Sequence, residues 1–383
     1  MDNVTQLITT IKSINPSIPI ILGGPHPTLF PQKILEETQA DISIQGDGEP
    51  PLDLLVQSLH HPAKRPHIPG AFYKENTSIH QGTAPHLLTD LTTVPFPNRE
   101  LTKPYTYGKH LNPYLTPGEF TSIVTSRGCP YRCTFCSRNS IAMKKFRSRP
   151  TDHILKELEE IHAQGYTHLS FTDDCFLSNA KQAHELFDAI IERQFQFTMY
   201  ITAARVDSAD RALYEKMKTA GVKLLQFGLE SGTQEVLDFY QKQTTPDQIR
   251  HAVTLSHRIG FFTAGSFIFG APFETKQQMK QTLSFACSLP LNSVSFLPLM
   301  YMAGSPLWEA AVTENKIKED EYCVLADADR TLGQLPTKEL LRYCYQAQVF
   351  FYSRPKFYWN LLQTCKRQKQ WTFLAAYVHF LRP

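Results

Sequence analysis

The sequence predicts an α/β protein centred on a (βα)6 partial TIM-like barrel, with a partial open-sheet α/β domain before it and a mostly helical region after it. Three observations carry this. Between residues 119 and 302 one pattern recurs: an amphipathic helical stretch, a glycine, then a short apolar run. Strands joined by crossover helices form a parallel sheet or barrel. Residues 1–60 hold two shorter copies of the same alternation, and residues 306–383 carry helical spacing with little strand punctuation.

In chain order, residues 1–60 contain the apolar run 18–22 closed by Gly23-Gly24-Pro25, a helical stretch near 31–38, a second run at 41–45, and the turn Gly46-Asp47-Gly48-Glu49. Residues 61–118 are rich in proline and read as a connector with a small hairpin at 70–79. Residues 119–305 form the barrel, with strands expected at 120–125, 168–174, 196–203, 224–231, 263–270 and 293–302. Thr151 is expected to cap a helix whose Ile154, Leu155, Leu158 and Ile161 share a face and which Gly165 stops. Ser208 is the expected cap of the helix carrying Leu213 and Met217, ended by Gly221. Thr245-Pro246-Asp247-Gln248 fits a capping box with proline at the first helical position, and Gly260 closes that helix. Ligands of such a barrel sit at the C-terminal strand edge.

Composition narrows the function. Of 383 residues, 42% are hydrophobic and 20% charged, which excludes a disordered or collagen-like chain. The net charge of +3 is too small to argue for a nucleic-acid partner. No apolar stretch approaches the roughly 18 residues of a membrane span. The first residues lack a basic region, an apolar core and a cleavage site, so the expectation is no secretory signal and a cytoplasmic location. In that compartment the eight cysteines are expected to be thiols or metal ligands rather than disulfides.

Three of the eight crowd into the segment after the first barrel strand, Thr125-Ser126-Arg127-Gly128-Cys129-Pro130-Tyr131-Arg132-Cys133-Thr134-Phe135-Cys136-Ser137. Thiolates are soft ligands suited to iron–sulfur clusters or zinc, and both usually take four. Three ligands leave one metal position open, where chemistry can occur. A structural zinc knuckle or three free thiols is the rival reading. Gly128 and Pro130 shape the turn, since glycine admits positive φ and proline fixes its own.

The Cys-x3-Cys-x2-Cys spacing resembles the hallmark of the radical S-adenosylmethionine (SAM) enzyme superfamily, over residues 119–302. The resemblance implies a 4Fe–4S cluster on Cys129, Cys133 and Cys136, with SAM chelating the fourth iron. It also implies reductive cleavage of SAM to methionine and a 5′-deoxyadenosyl radical. Phe135 matches the position that lies against the adenine. Asp173-Asp174 ends the second strand where many members carry Gly-Gly-Glu. It resembles the variant of the cobalamin-dependent branch, in which Asp173 or Asp174 accepts from the methionine ammonium. Arg205 is placed to pair with the methionine carboxylate, Glu230 to hold the ribose hydroxyls, and the backbone at 269–272 to approach the adenine. No residue is assigned a catalytic proton or atom transfer.

Residues 19–28, with Gly23 and Gly24, and the turn at 46–52 resemble the second half of the flavodoxin-like cobalamin-binding domain found ahead of many such enzymes. There the paired glycines let backbone approach the cofactor's nucleotide tail. The first half, with its Asp-x-His-x-x-Gly cobalt-ligand motif, has no counterpart in the 383 residues. Two readings follow: a cobalamin enzyme with a shortened start, or a degenerate domain that no longer binds the cofactor. The basic run 144–149 reads as a solvated loop, and Cys175, Cys287, Cys323, Cys344 and Cys365 as buried thiols. The aromatic, basic stretch 350–359 suits a lipid-like or tetrapyrrole-like small-molecule substrate or plain helix packing. The expected reaction is methylation of an unactivated carbon, fed by a reductase such as flavodoxin or ferredoxin. A cobalamin-independent radical cyclisation, oxidation or rearrangement is the alternative, and a non-catalytic metal-binding module a third.

Overall fold

The apolar runs ahead of Gly23 and Gly46 become neighbouring parallel strands, joined by a crossover of two short helices. The computed structural model describes residues 2–58, 67–76, 78–85, 87–105, 119–369 and 371. Met1, the connector segments 61–66 and 106–118, and the tail 372–383 lie outside the described residues. The chain divides into two units, Met1–Val94 with Arg138–Lys145, and Pro95–Ser137 with Phe146–Pro383.

In the first unit the described elements run α1 (Asp2–Ile14), β1 (Ile21–Leu22), α2 (Pro25–Leu29), α3 (Pro31–Glu37), β2 (Ile42–Ile44), α4 (Glu49–Ser58), β3 (Ala71–Glu75) and β4 (Ser78–Gln81), with α5 (Arg138–Ile141) joining later. The sheet order is β1-β2-β3-β4; β1 and β2 are parallel and the other pairs antiparallel. Side chains alternate across it. Phe72 packs with Ile8, Ile34, Leu35 and Ala40, while Ala71 and Tyr73 pack with Ile42, Leu55 and Ile68.

Two features differ from the sequence reading. Residues 2–14 form α1, a helix without an expected counterpart above. It buries Ile8 and ties Lys12 to Asp41 at 2.7 Å. The expected hairpin at 70–79 is not part of a free connector: β3 pairs with the exposed edge of β2, Ile42 opposite Tyr73, and extends the sheet. Gly70 makes this possible. Its φ is +69°, and a Cβ there would stand 2.5 Å from the Gln45 carbonyl oxygen.

The second unit holds the six predicted barrel strands as one parallel sheet: β5 (Phe120–Ile123), β8 (His168–Phe171), β9 (Thr198–Ala204), β10 (Val222–Glu230), β11 (Phe262–Phe269) and β12 (Ser293–Pro298), in the order β12-β11-β10-β9-β8-β5. The short pair β6 (Ser126–Arg127) and β7 (Arg147–Ser148) lies apart and antiparallel. Crossovers are α6 (Thr151–Ala163), α7 (Ala180–Glu192), α8 (Arg211–Ala220), the short α9 (Gln234–Phe239) with α10 (Pro246–Ile259), and α11 (Lys276–Ser288). Strands covered on both sides read as nearly continuous apolar runs, and β8 is buried throughout.

The capping box at Thr245 and Gln248 is present, and Gly221 and Gly260 end their helices in the left-handed conformation. Two cap expectations are corrected. Thr151 is the first helical residue after Pro150 and caps nothing with its side chain. The cap of α8 is Asp210, whose Oδ1 accepts from Leu213 N at 2.6 Å, because Ser208 lies in a preceding 3-10 turn and donates to the Arg205 carbonyl.

Beyond the sheet, the predicted helical region contains α12 (Pro306–Thr313), α13 (Thr337–Tyr352) and α14 (Pro355–Gln368). It is interrupted by β14 (Cys323–Leu325), which pairs antiparallel with β13 (Met300–Met302) across α12 in the sequence. Helix α13 covers edge strand β12 with side chains in place of a seventh strand. Gln348 accepts from Phe296 N at 3.2 Å and donates to Val294 O at 2.8 Å, and the Tyr352 hydroxyl accepts from Val294 N at 2.9 Å.

At the opposite edge a buried charge cluster fixes the exit of β5. Glu157 on α6 has a side chain 2% exposed and takes Arg99 at 2.6 Å on one oxygen and Arg149 at 2.5 Å on the other. Arg99 also donates to the Ser122 carbonyl and Arg149 to the Val124 carbonyl. The backbone that leads into the cysteine segment is thereby held at Ser122, Val124 and Thr125, since Arg149 N also donates to Thr125 O at 2.8 Å.

Candidate functional site

The three clustered cysteines lie on the loop that leaves β6, past the C-terminal end of β5. Strand β6 pairs with β7, Ser126 opposite Ser148, and so closes the neck of that loop. Gly128 turns the chain with φ +85°. Asp173, at the end of β8, holds the same neck: its carboxylate accepts from Thr125 N at 3.1 Å, Thr125 Oγ1 at 2.7 Å and Ser126 Oγ at 2.5 Å. Burial pushes its pKa up against these hydrogen bonds. With both oxygens turned to the neck, Asp173 is a positioning group. Of the two aspartates offered for the methionine ammonium, Asp174 is the one whose charge acts on Cys129.

The far side of the loop docks on the C-terminal end of α9. Thr134 donates from N and from Oγ1 to the carbonyls of Tyr240 and Phe239, both at 3.0 Å, and the Phe135 ring meets Tyr240 edge-on at 5.1 Å. Phe135 is therefore only part-buried packing on one side, with Tyr240 as its wall.

Charge surrounds the thiols. The Arg205 guanidinium lies 3.5 Å from the centre of the Tyr131 ring, and its Nη1 is 3.9 Å from Cys133 Sγ. Its Nε faces Asp207, and its Nη2 donates to the Lys242 carbonyl at 2.6 Å. Lys242 in turn pairs with Glu230 at 2.6 Å, both side chains under a tenth exposed. Cys129 is hydrogen-bonded to Cys175, which holds the Cys129 thiol down to about 7 against the opposing effect of burial. Burial pushes the Cys133 thiol up, opposed by Lys242 and then Arg205. Among the described residues no three His, Cys, Asp or Glu side chains converge as ligands of a single ion. A cubane takes one thiolate per iron, so its ligands stand on separate corners. A soft three-thiol set beside two cations fits that group.

Sequence reasoning missed Lys242, Cys175 and Tyr131. Tyr131 sits inside the cysteine segment and Cys175 directly follows the two aspartates, so adjacency to a motif was the available signal. Lys242 had none: it is brought to Cys133 by a turn with no motif of its own.

In the first unit, Gly23 and Gly24 follow β1. Gly24 has φ +100°, and a Cβ on either would meet no atom within 4 Å. That open backbone fits the approach of a bulky cofactor group. Asp47, in the second glycine turn, is buried and accepts from Leu88 N at 2.9 Å.

Six parallel strands with three clustered thiols at their C-terminal edge set the class to be compared: residues 123–286 match the profile of the radical SAM superfamily, and residues 1–56 that of the B12 binding domain. Residues 123–286 are thus a radical SAM domain, and the cofactors of that superfamily are a 4Fe–4S cluster and SAM. The chain is 28% identical over 350 residues to an uncharacterised methyltransferase of Pyrococcus horikoshii, covering 90% of this chain and 74% of that one. It is 23% identical over 352 residues to the cytidylyl-2-hydroxyethylphosphonate methyltransferase of Streptomyces wedmorensis, covering 84% and 66%. Its fold matches the radical SAM methyltransferase TsrM of Kitasatospora setae, solved with cobalamin and a [4Fe-4S] cluster, with TM-score 0.67 at 20% identity over 81% of this chain and 62% of that one. The chain thus spans less than two thirds of the length of the latter two proteins. Among the described residues no helix is long and apolar enough to cross a membrane.

Proposed function

We propose that the chain holds a 4Fe–4S cluster through Cys129, Cys133 and Cys136, cleaves SAM there, and uses the radical to methylate an unactivated carbon of a small molecule with cobalamin as second cofactor. The carrying observation is the loop itself: three thiols at the C-terminal strand edge, fixed at the neck by Asp173 and on the far side by Tyr240. When reduced, the bound cluster supplies the one electron that splits the sulfonium into methionine and the 5′-deoxyadenosyl radical. The chain's own residues bind and orient. Asp174 accepts from the methionine ammonium, Arg205 pairs with its carboxylate, Phe135 lies against the adenine, and Glu230 offers the ribose hydroxyls the carboxylate oxygen that Lys242 leaves. Gly23 and Gly24 give cobalamin an open backbone. The methyltransferase names of two relatives support this reaction over a cyclisation. We place the chemistry in the reducing cytoplasm, with a flavodoxin or ferredoxin as electron donor.

Methyl-labelled SAM tests the reaction. With reductant, free cobalamin and a candidate acceptor, label is expected on the acceptor only when cobalamin is present. Product without cobalamin would favour the cyclisation or oxidation class.

A further inference from the structure

The ion pair of Glu230 and Lys242 sits on backbone that is hard to build. Glu230 has φ +61°, and Lys242 lies between Gln241 at +49° and Gln243 at +56°. Three non-glycine residues in the left-handed region around one side-chain pair carry a conformational cost. Strain of this kind persists where the surroundings over-determine it. The packing also leaves no room for alternatives, since a Cβ on Gly228 would stand 2.4 Å from Glu230 Oε1 and 3.0 Å from Lys242 Nζ. The result is an ammonium with its side chain 8% exposed, far from any solvent role.

That ammonium is carried on the segment the cysteine loop docks against. Thr134, next to Cys133, hydrogen-bonds to the Phe239 and Tyr240 carbonyls, and Arg205 bridges the Lys242 carbonyl to Cys133 Sγ. Lys242 and Arg205 are the cations whose charge acts on the Cys133 thiol. Arg205 is already engaged by Asp207, and Lys242 is balanced by Glu230.

We infer that Lys242, clamped by Glu230, is a positioning residue that sets the reduction potential of the cluster through Cys133, with Glu230 opposing it. This rests on the cluster assignment proposed above. One electron taken from dithionite adds one negative charge beside Cys133. A buried cation favours that reduced state, and a buried anion disfavours it. The two members of the pair therefore act with opposite sign, which a purely structural role would not produce.

The test is a redox titration with dithionite, followed by electron paramagnetic resonance, on anaerobically reconstituted protein without SAM. Lys242→Met is expected to move the midpoint to more negative potential and Glu230→Gln to more positive. The double variant is expected between the two, and Lys242→Arg, which keeps the charge, close to wild type. If Lys242→Met fails to fold or to load, the positive shift of Glu230→Gln decides. Shifts of the same sign, or midpoints all equal to wild type, would overturn the role of Lys242. A wild-type protein that takes up no iron would instead remove the cluster assignment on which it rests.

Discussion

Replacing Cys129, Cys133 and Cys136 together with alanine is expected to take the iron content of anaerobically reconstituted protein from about four per chain to near zero. Cys287, Cys323, Cys344 and Cys365 are spread through the second unit, and Cys323 is exposed with its thiol on Met300 at 2.8 Å. Cys323→Ala should accordingly keep the full complement and the broad absorbance near 400 nm of an iron–sulfur chromophore. Cys175 is the informative control, because it is buried and hydrogen-bonded to Cys129. Cys175→Ala is expected to retain four irons, since three thiolates suffice when the fourth iron is left for SAM. Zinc in place of iron, or unchanged iron in the triple variant, would refute the assignment.

The largest stability effect should come from Glu157→Ala. The substitution leaves the Arg99 and Arg149 guanidiniums buried without their counter-ion, and removing one partner of a buried pair costs about 3–5 kcal/mol. Two stranded cations put the expectation at the upper end of that range. The loss reaches the site, because both arginines donate to the backbone between Ser122 and Val124, just ahead of the cysteine loop. Glu157→Gln, which keeps the shape and one acceptor oxygen, should recover part of the loss. Urea unfolding gives the comparison: a change below about 1 kcal/mol in Glu157→Ala would mean that water or movement satisfies the arginines, and the cluster is not the brace described.

Much of this was legible in the sequence, for reasons that differ by element. The barrel strands were visible as short apolar runs, β8 buried throughout, and several are announced by a glycine such as Gly221 or Gly260, whose left-handed conformation few other residues tolerate. Strand ends were less so. The run expected at 293–302 divides at Leu299, whose amide still donates to Phe269 O on β11 while its carbonyl accepts from Ala326 N next to β14. At α8 both Ser208 and Asp210 satisfy the cap motif and only geometry selects Asp210, whereas α6 begins directly after Pro150 with no side-chain cap at all. The hairpin at β3 and β4 was visible as a hairpin, but its pairing with β2 is a long-range contact that no local pattern encodes.

The site divides in the same way. Cys129, Cys133 and Cys136 announce themselves by spacing, and Asp173, Asp174, Arg205 and Glu230 by their places at strand ends. That Asp173 holds the loop neck depends on Thr125 and Ser126, 48 and 47 residues away. The Lys242–Glu230 pair spans only 12 residues, yet it depends on positive φ at three non-glycine residues, which composition does not reveal.

The measurement that bears most directly on the central claim is cleavage of SAM without any substrate. Anaerobic, reconstituted protein reduced with dithionite and given SAM should release 5′-deoxyadenosine and methionine slowly, in amounts exceeding one per chain over time. The Cys129→Ala/Cys133→Ala/Cys136→Ala protein should release none. Protein that carries four irons, accepts the electron and leaves SAM intact would contradict the account.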